Sequence, residues 1–233
     1  MSKTVAVLQS NYIPWKGYFD IVAAVDLFVF HDDCLFTKNN WRNRNRIMTN
    51  AGPCWLSIPC GRPRERLICE VELEDASWQK RHWKTLVQEY GKAAFFPRYA
   101  PFLEEVYLGT VWKRLSDLNQ HLIRHIAREF LGVTTAFDDS RSYNVPGRKA
   151  ERVLNLLDAI GGVTEYLTGP AARDYLDPEP FLRRGIRLTW MDYGGYPEYR
   201  QEHSTFVHEV SILDLLFREG PRAGAFMKHV RTG

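Results

Sequence analysis

Several features that define common protein classes are missing from this sequence. No apolar run approaches the roughly 20 residues that a helix needs to cross a bilayer. Residues 1–4 lead directly into apolar residues 5–8, without the small-residue cleavage site of a signal peptide. The four cysteines lie at irregular spacing without a C-x-x-C pair, which predicts reduced, packed thiols rather than disulfides. Together these absences predict a soluble cytoplasmic protein.

Familiar catalytic and nucleotide-binding motifs are also missing. There is no Walker P-loop, no G-x-G-x-x-G and no G-x-S-x-G, which disfavours P-loop kinases and α/β-hydrolases. His121 and His125 are four residues apart, but no acidic residue stands between them as in zinc proteases. His31 and Cys34 lack the paired close ligands that structural zinc sites usually have, so no zinc site is predicted there.

Positive charge is concentrated in one stretch of the chain. The net charge is only +3, which does not by itself indicate a nucleic-acid partner. Residues 36–66, however, contain seven basic side chains and Glu65 as the one acidic side chain. Such a field suits phosphate or carboxylate ligands, although we interpret its last three arginines as a solvated edge. The basic residues are Lys38, Arg42, Arg44, Arg46, Arg62, Arg64 and Arg66.

Apolar patterning predicts an α/β fold that begins with a βαβ unit. Residues 4–8 and 27–30 are short buried-strand candidates, and residues 16–25 between them have helical apolar spacing. Two strands joined in this way pair in parallel through a right-handed crossover. We therefore expect one domain, residues 1–233, with a parallel-sheet N-terminal half (1–75), a helical middle (76–132) and a mixed α/β C-terminal part (133–233).

The remaining elements are predicted from periodicity and turn residues. Residues 36–46 are expected to form an ordered loop, and residues 68–73 an edge strand. Further strands are expected at 54–59, 133–137, 165–167 and 186–191. Helices are expected at 77–90, 99–108, 116–131 with Ser116 as its cap, 149–160 ending at Gly161, and 212–218 behind Ser211.

Polar residues follow both predicted N-terminal strands, where parallel α/β sheets bind their ligands. After the first strand, Gln9, Asn11 and Lys16 approach a helix N-terminus, which attracts anions. Gly17 would let a ligand approach the main chain closely. An ordinary strand-to-helix turn with a capping Asn remains the alternative.

The second strand is followed by His31, Asp32 and Asp33. Adjacent carboxylates are costly without cations or a metal nearby, and Mg²⁺ with substrate phosphates would suit them. His31 has an ordinary pKa of roughly 6.5 and could act as a base. The alternative is a solvated turn in which one aspartate caps the next segment.

Residues 41–46 combine an indole, guanidinium groups and side-chain amides. In extended geometry Arg42, Arg44 and Arg46 would share one face, with Asn43 and Asn45 on the other. The arginines could hold phosphate or carboxylate, while Trp41 or Tyr12 packs on a ring. An arginine-rich hairpin edge is the alternative, and a nucleic-acid site would need a longer basic surface.

These and later motifs resemble the WbqC-like proteins of bacterial surface-polysaccharide gene clusters. The first three matching segments are long and unusual, and the resemblance covers nearly the whole chain. They are Gln9-Ser10-Asn11-Tyr12-Ile13-Pro14-Trp15-Lys16-Gly17-Tyr18-Phe19-Asp20, Asp33 with Phe36-Thr37-Lys38, and Trp41-Arg42-Asn43-Arg44-Asn45. Others are Trp55 with Ile58-Pro59, Gly147-Arg148-Lys149, Tyr166-Leu167-Thr168-Gly169, Tyr199-Arg200-Gln201 and Ser211-Ile212-Leu213-Asp214-Leu215-Leu216.

The resemblance implies a role in O-antigen and related glycan biosynthesis, through modification of nucleotide-linked amino sugars. We expect a transferase or amide-forming ligase that places an acyl or aminoacyl group on the sugar's amine. The alternatives are Mg-dependent nucleotidyl transfer or an adenylate-forming ligase, and a non-catalytic nucleotide-sugar-binding protein. The cofactor stays open between ATP with Mg²⁺ and an acyl-CoA donor, and so does the oligomeric state.

The site residues expected from the sequence fall into two groups. The expected catalytic residues are His31, Asp32 and Asp33. The expected substrate-binding residues are Gln9, Asn11, Tyr12, Lys16, Lys38, Trp41, Arg42, Asn43, Arg44 and Asn45.

Overall fold

The computed structural model describes residues 2–62, 65–203 and 205–230. Its centre is a five-stranded sheet in which every neighbouring pair is parallel, in the order β5-β2-β1-β6-β7. The strands are β1 (Thr4–Leu8), β2 (Leu27–Phe30), β5 (Ala136–Asp139), β6 (Glu165–Thr168) and β7 (Arg187–Trp190). The predicted α/β class and the parallel βαβ start are therefore confirmed, and strands from the first and last thirds of the chain join one sheet.

Strand order creates a topological switch between β1 and β6. The chain runs outward from β1 to β2 and β5, then returns to place β6 and β7 on the other side of β1. Ligands of open α/β sheets bind where the order reverses, beyond the carboxyl ends of the strands. The loops after β1 and β6 border that place.

Helices cover both faces of the sheet because alternate strand residues point to opposite sides. Ala6, Phe28 and Phe30 belong to the larger core, and Val5 and Val29 to the smaller one. The larger core includes α1 (Lys16–Ala23), α2 (Ser77–Tyr90), α3 (Phe96–Glu104), α4 (Leu115–His125) and α7 (Ile212–Glu219). The smaller core includes α5 (Lys149–Ile160) and the single turn α6 (Glu179–Leu182).

An antiparallel hairpin stands apart from the main sheet. It pairs β3 (Arg44–Thr49) with β4 (Gly52–Ser57), and Arg46 lies opposite Trp55. Residues 44–46 were predicted as the end of a loop, and this was wrong because they begin strand β3. Arginine and asparagine alternate there, and two polar types in alternation conceal the two-residue period of a strand.

Two other local predictions were also wrong. The expected edge strand at 68–73 contains a 3-10 turn, Ile68–Glu70, because Glu70 N and Val71 N bond to carbonyls three residues earlier, Leu67 O and Ile68 O. Ser116 is not a cap, since α4 begins one residue earlier at Leu115. In contrast, Ser211 Oγ accepts a hydrogen bond from Leu213 N at the start of α7, as predicted.

Several helix bounds follow the sequence pattern closely. α2 and α5 have the predicted limits, and Gly161 ends α5 with φ +69°, a conformation that favours glycine. α3 and α4 both continue as π-helical turns, at Glu105–Gly109 and Ile126–Phe130. No helix in the described ranges is both long and apolar enough to cross a membrane.

Candidate active site

Polar side chains from three loops meet at the carboxyl ends of β1 and β2. The two strand ends are fastened together, because His31 N donates to Leu8 O at 2.9 Å and Ser10 N donates to the Asp32 carboxylate at 2.8 Å. The segment 40–43 approaches from the side, where Asn119 of α4 donates to Arg42 O at 2.8 Å. We call Gln9, His31, Asp33, Cys34 and Arg42 the strand-end cluster.

His31 and Asp33 form the centre of this cluster. His31 Nε2 lies 3.5 Å from Asp33 Oδ1, and both side chains are largely but not completely buried. Asp33 is held in place by Ser140 Oγ, which donates to Oδ1 at 2.6 Å, and by an ion pair with Arg152. Burial lowers the pKa of His31, and the neighbouring Asp33 carboxylate only partly opposes this. His31 is therefore a neutral imidazole at pH 7, next to a carboxylate that can stabilise its protonated form.

Asp32 has a different environment from its neighbour. Its side chain is fully buried, and its two oxygens accept hydrogen bonds from Ser10 N and from Gln120 Nε2 at 2.9 Å. Gln120 also donates to Asp139 at the end of β5, at 2.8 Å. Burial raises the pKa of Asp32. These contacts make Asp32 a residue that positions the strand ends rather than one that faces a substrate.

Cys34 lies on the other side of His31. Its thiol donates to His31 O at 2.9 Å, and burial raises its pKa to about 11, against a hydrogen bond from the Gln9 side chain that favours the thiolate. The thiol is therefore protonated at neutral pH. Ligand atoms of His31, Asp33 and Cys34 all lie within 4.8 Å of one another, so these three side chains could share a metal ion.

Arg42 brings the basic charge to the cluster. Its guanidinium is partly buried and donates to Asn40 Oδ1 at 2.8 Å. Burial lowers the pKa of Arg42, while Cys34, Tyr18 and Asp32 act in the opposite direction. A guanidinium has five N–H donors, so this arrangement leaves others for an anionic ligand.

The loop between β1 and α1 has a backbone conformation that its residues rarely adopt. Ile13 has φ +35°, in the left-handed region that β-branched residues avoid. The Asn45 amide compensates by donating to Tyr12 O and Ile13 O, at 3.1 and 2.8 Å. Strained backbone of this kind persists only where the surroundings determine it, and it is often found near functional sites.

Three of the expected substrate-binding side chains are buried and bonded within the protein. Besides Asn45, Asn43 donates its amide to Ile58 O at 2.9 Å. Tyr12 is fully buried, and its hydroxyl bonds to His82 Nδ1 at 2.8 Å and to Tyr107. These contacts support a positioning role for the three side chains.

The arginines of the hairpin lie on the opposite face from these asparagines, as the alternation predicts. Arg44 stacks over Trp55 with 4.2 Å between its guanidinium carbon and the ring centroid. Trp41 and Trp55 pack with their ring centroids 5.4 Å apart, and both remain partly exposed. Arg46 approaches both rings and donates to Glu209 O. The result is an aromatic and basic surface beside the strand-end cluster.

Lys16 is in a cage of aromatic rings. Its ammonium donates to Pro197 O at 3.0 Å and lies 5.1, 5.5 and 5.7 Å from the ring centroids of Tyr196, Tyr199 and Phe206. Burial lowers the pKa of Lys16 to about 8. The space beside Gly17, which the sequence suggested for a ligand, is filled by the Trp15 indole. Lys16 therefore fastens the C-terminal segment to the start of α1.

This lowered pKa predicts a pH-dependent difference between the wild type and Lys16→Met. Because the folded state loses the Lys16 proton near pH 8 and the unfolded state only near 10.5, the wild type gains stability between those values. We expect its melting temperature to rise relative to that of the variant from pH 8 to 10. A difference that is constant with pH would contradict the assignment of Lys16 to a buried, aromatic cage that lowers its pKa.

Lys38 and the later arginines lie in another region. Lys38 donates to Gly61 O at 3.3 Å and lines a cavity of about 400 Å³ with Phe36, Arg62 and Arg66. Arg66 was expected to be solvated, but it is buried and bonds to Cys60 O. Arg62 is exposed, and Arg64 lies outside the described residues.

A smaller cavity lies beside the loop between β1 and α1. It has a volume of about 220 Å³. Its walls come from the β1–α1 loop, from the start of the hairpin with the residues before it, and from the segment before α7. The lining residues are Asn11, Pro14, Trp15, Trp41, Asn45 and Glu209.

Sequence reasoning missed several residues that hold the cluster together. Ser140 and Arg152 contact Asp33 across more than a hundred residues of sequence, and Gln120 joins Asp32 to Asp139. Ser140 follows β5, so its place after a predicted strand was a usable signal. Arg152 and Gln120 lie within helices, where no local pattern distinguishes them from solvated residues.

Comparison with known sequences gives the family. The chain belongs to the WbqC-like protein family, whose model matches residues 9–225. The uncharacterized protein Rv1507c of Mycobacterium tuberculosis is 42% identical over 232 residues, which cover 98% of this chain and 99% of that protein. No solved structure matches the chain. The family match begins at Gln9, the first residue of the strand-end cluster.

Proposed function

We propose that this protein is a cytoplasmic enzyme of bacterial surface-glycan biosynthesis that forms an amide on a nucleotide-linked amino sugar. In this reaction an acyl or aminoacyl group passes from a small-molecule donor to the amino group of the sugar. The observation that carries the proposal is the neutral His31, which lies 3.5 Å from a fixed Asp33 and beside the Arg42 region at the carboxyl ends of parallel strands. Membership of the WbqC-like family supports the glycan context.

The proposed chemistry needs a base at the attacking amine. The amine nitrogen attacks the carbonyl carbon of the donor, the new N–C bond forms, and the bond between that carbon and its leaving group breaks. His31 accepts the amine proton, as general-base catalysis requires. Asp33 stabilises the imidazolium that results, and it is held for this by Ser140 and Arg152. With an acyl-CoA donor, the leaving group is the thiolate of coenzyme A, which takes up that proton on release.

Arg42 is assigned to the diphosphate of the nucleotide sugar. Guanidinium groups bind phosphate through paired N–H donors, and a partly buried site strengthens such contacts. Arg44 adds positive charge from the hairpin, where it stacks on Trp55. Gln9 borders the same space through its contact with Cys34.

Mg-dependent nucleotidyl transfer receives less support from the side-chain contacts. It requires free carboxylate oxygens at Asp32 and Asp33 for the ion. Asp32 is fully buried and bonded by Ser10 and Gln120, and Asp33 is bonded by Ser140 and Arg152. Pyrophosphate release from a nucleoside triphosphate would nevertheless favour this alternative over simple acyl transfer.

The pKa of His31 predicts the pH dependence of the reaction. A base must be unprotonated, so kcat/KM should fall as the pH decreases through the pKa of His31. Burial lowers this pKa from its ordinary value of 6.5, so the fall is expected below pH 6.5. Steady-state rates in buffers from about pH 5 to pH 8 measure this limb. Because the substrate amine titrates at higher pH, the decisive result is the limb below pH 6.5: if it persisted in His31→Gln, His31 would not be the base.

The reaction itself is tested by mass spectrometry. The protein is incubated with nucleotide-linked 2-amino and 4-amino hexoses in the presence of acyl-CoA donors, or of an amino acid with ATP and Mg²⁺. An increase in the sugar-nucleotide mass by one acyl or aminoacyl group, absent with His31→Gln, supports the proposal. Thermal stabilisation by a nucleotide sugar without product from any donor would instead indicate a binding protein.

A further inference from the structure

The cavity of about 220 Å³ beside the β1–α1 loop has two indole walls. Trp15 is fixed on one side, because its ring occupies the space beside Gly17 and packs against Tyr193 with centroids 5.0 Å apart. The Trp41 ring packs against the Trp55 ring, with 5.4 Å between their centroids. Rings held in this way provide flat apolar surface with little conformational entropy to lose on binding.

The polar groups of the cavity include two hydrogen-bond acceptors beside the amide and indole N–H donors of Asn11, Trp15 and Trp41. Asn11 Oδ1 is shielded from solvent and has no hydrogen-bond partner among the described residues. Glu209 contributes a carboxylate, which accepts and does not donate. The third polar side chain, Asn45, already uses its N–H groups on Tyr12 O and Ile13 O, and its oxygen on Arg46 N. The cavity therefore suits a ligand whose groups both donate and accept, as hydroxyl groups do.

From these features we propose that the cavity binds the sugar ring of the substrate. The hydroxyl groups of a pyranose supply several donors around one ring, and its C–H faces pack on indoles. A phosphate is disfavoured because the one charged lining residue, Glu209, is acidic, although it pairs with Arg46 at 3.7 Å. A pyrimidine base offers one ring N–H between two carbonyl groups that themselves need donors. The volume is below the roughly 300–1,000 Å³ of pockets for drug-sized ligands, so it suits one ring rather than a whole nucleotide sugar.

This assignment rests on the proposed function for the substrate class, and it divides the substrate among neighbouring residues. Trp41 and Arg42 are consecutive, and Gln9 and Asn11 belong to one short segment. The backbone of the cavity wall is therefore continuous with that of the strand-end cluster. The proposal places the hydroxyl groups of the sugar on Asn11 and Glu209, its phosphates toward Arg42 and its amine toward His31.

Calorimetric titration with and without the sugar tests the assignment. The probes are UDP- and dTDP-linked 2-amino and 4-amino hexoses, with UDP and dTDP alone as the comparison. The variants are Trp41→Ala, which removes one wall, and Glu209→Gln, which removes the charge. Glu202→Gln is the matched control. Like Glu209, Glu202 is an exposed glutamate that pairs with an arginine, but it does not line the cavity.

We expect Trp41→Ala and Glu209→Gln to weaken binding of the amino-sugar nucleotides by about tenfold. Binding of UDP and dTDP, and all binding by Glu202→Gln, should be unchanged. Equal weakening with and without the sugar would mean that the cavity takes the base, and would overturn the proposal. Unchanged affinity in both variants, or no wild-type binding of any amino-sugar probe, would overturn it too. Binding without product would contradict only the proposed reaction.

Discussion

His31→Gln is expected to lower kcat for amide formation by about 10² to 10⁴, the usual contribution of a general base. Glutamine has a similar size and can donate and accept hydrogen bonds, but it cannot accept a proton at neutral pH. The imidazole lies next to Asp33 and is largely buried, and the pKa that burial lowers keeps it free to accept a proton at neutral pH. Product formation measured by mass spectrometry at saturating substrate gives the comparison.

His125→Gln is the matched control for this prediction. Burial lowers the pKa of His125 as it does that of His31, but the His125 ring stacks on Phe102 with centroids 3.5 Å apart, outside the strand-end cluster. The control should keep kcat near the wild-type value, because the His125 ring packs on Phe102 outside the strand-end cluster. If both variants lost activity equally, or neither did, His31 would not be the base.

Asp32→Ala is expected to lower the free energy of unfolding by about 2–4 kcal/mol. The substitution removes the acceptor of the buried Ser10 N–H and one acceptor of the Gln120 amide, and it leaves a cavity where the strand ends meet. Urea denaturation followed by circular dichroism measures the loss.

Asp26→Ala is the control for this stability effect. Asp26 precedes β2 as Asp32 follows it, and it accepts one hydrogen bond from Thr4 N at 2.7 Å, but it is exposed. Its loss should cost about 1 kcal/mol or less. Equal costs for the two substitutions would contradict a structural role for the Asp32 network.

The raised pKa of Asp32 also predicts how the effect of Asp32→Ala on stability depends on pH. Because burial raises the pKa in the folded state, ionisation of the side chain occurs first in the unfolded state as the pH rises from 3.8. The contribution of Asp32 to stability is therefore largest at acidic pH and decreases as the pH rises through the folded-state pKa. The difference between wild type and Asp32→Ala should be larger at about pH 4 than at about pH 7.

Local patterns in the sequence predicted the elements that position the site. The strand-helix-strand start and the limits of α2 and α5 could be predicted from the spacing of apolar residues. That spacing matches the period of the helix or strand that the residues form. The alternation of Arg44 and Arg46 with Asn45 also predicted which hairpin side chains share a face, whereas Arg42 precedes the hairpin and lies in the strand-end cluster. What these predictions have in common is that each depends on residues close in sequence.

Other properties of the site depend on contacts between distant residues. Tyr12 could have been a ring-stacking platform, but its hydroxyl meets His82 and Tyr107 in the core. Lys16 could have faced a phosphate, but Tyr196 and Tyr199 surround its ammonium. No local pattern distinguishes these outcomes, because they are decided by segments 70 or more residues away.

Hydrogen–deuterium exchange with an amino-sugar nucleotide tests the location of the substrate site most directly. Backbone amides of residues 9–18, 31–36 and 41–46 should exchange more slowly when the ligand is bound, because they surround the strand-end cluster and the adjoining cavity. Amides of α5 and α6, on the other face of the sheet, should not change. Protection of α5 and α6, with none at the carboxyl ends of β1 and β2, would contradict this location.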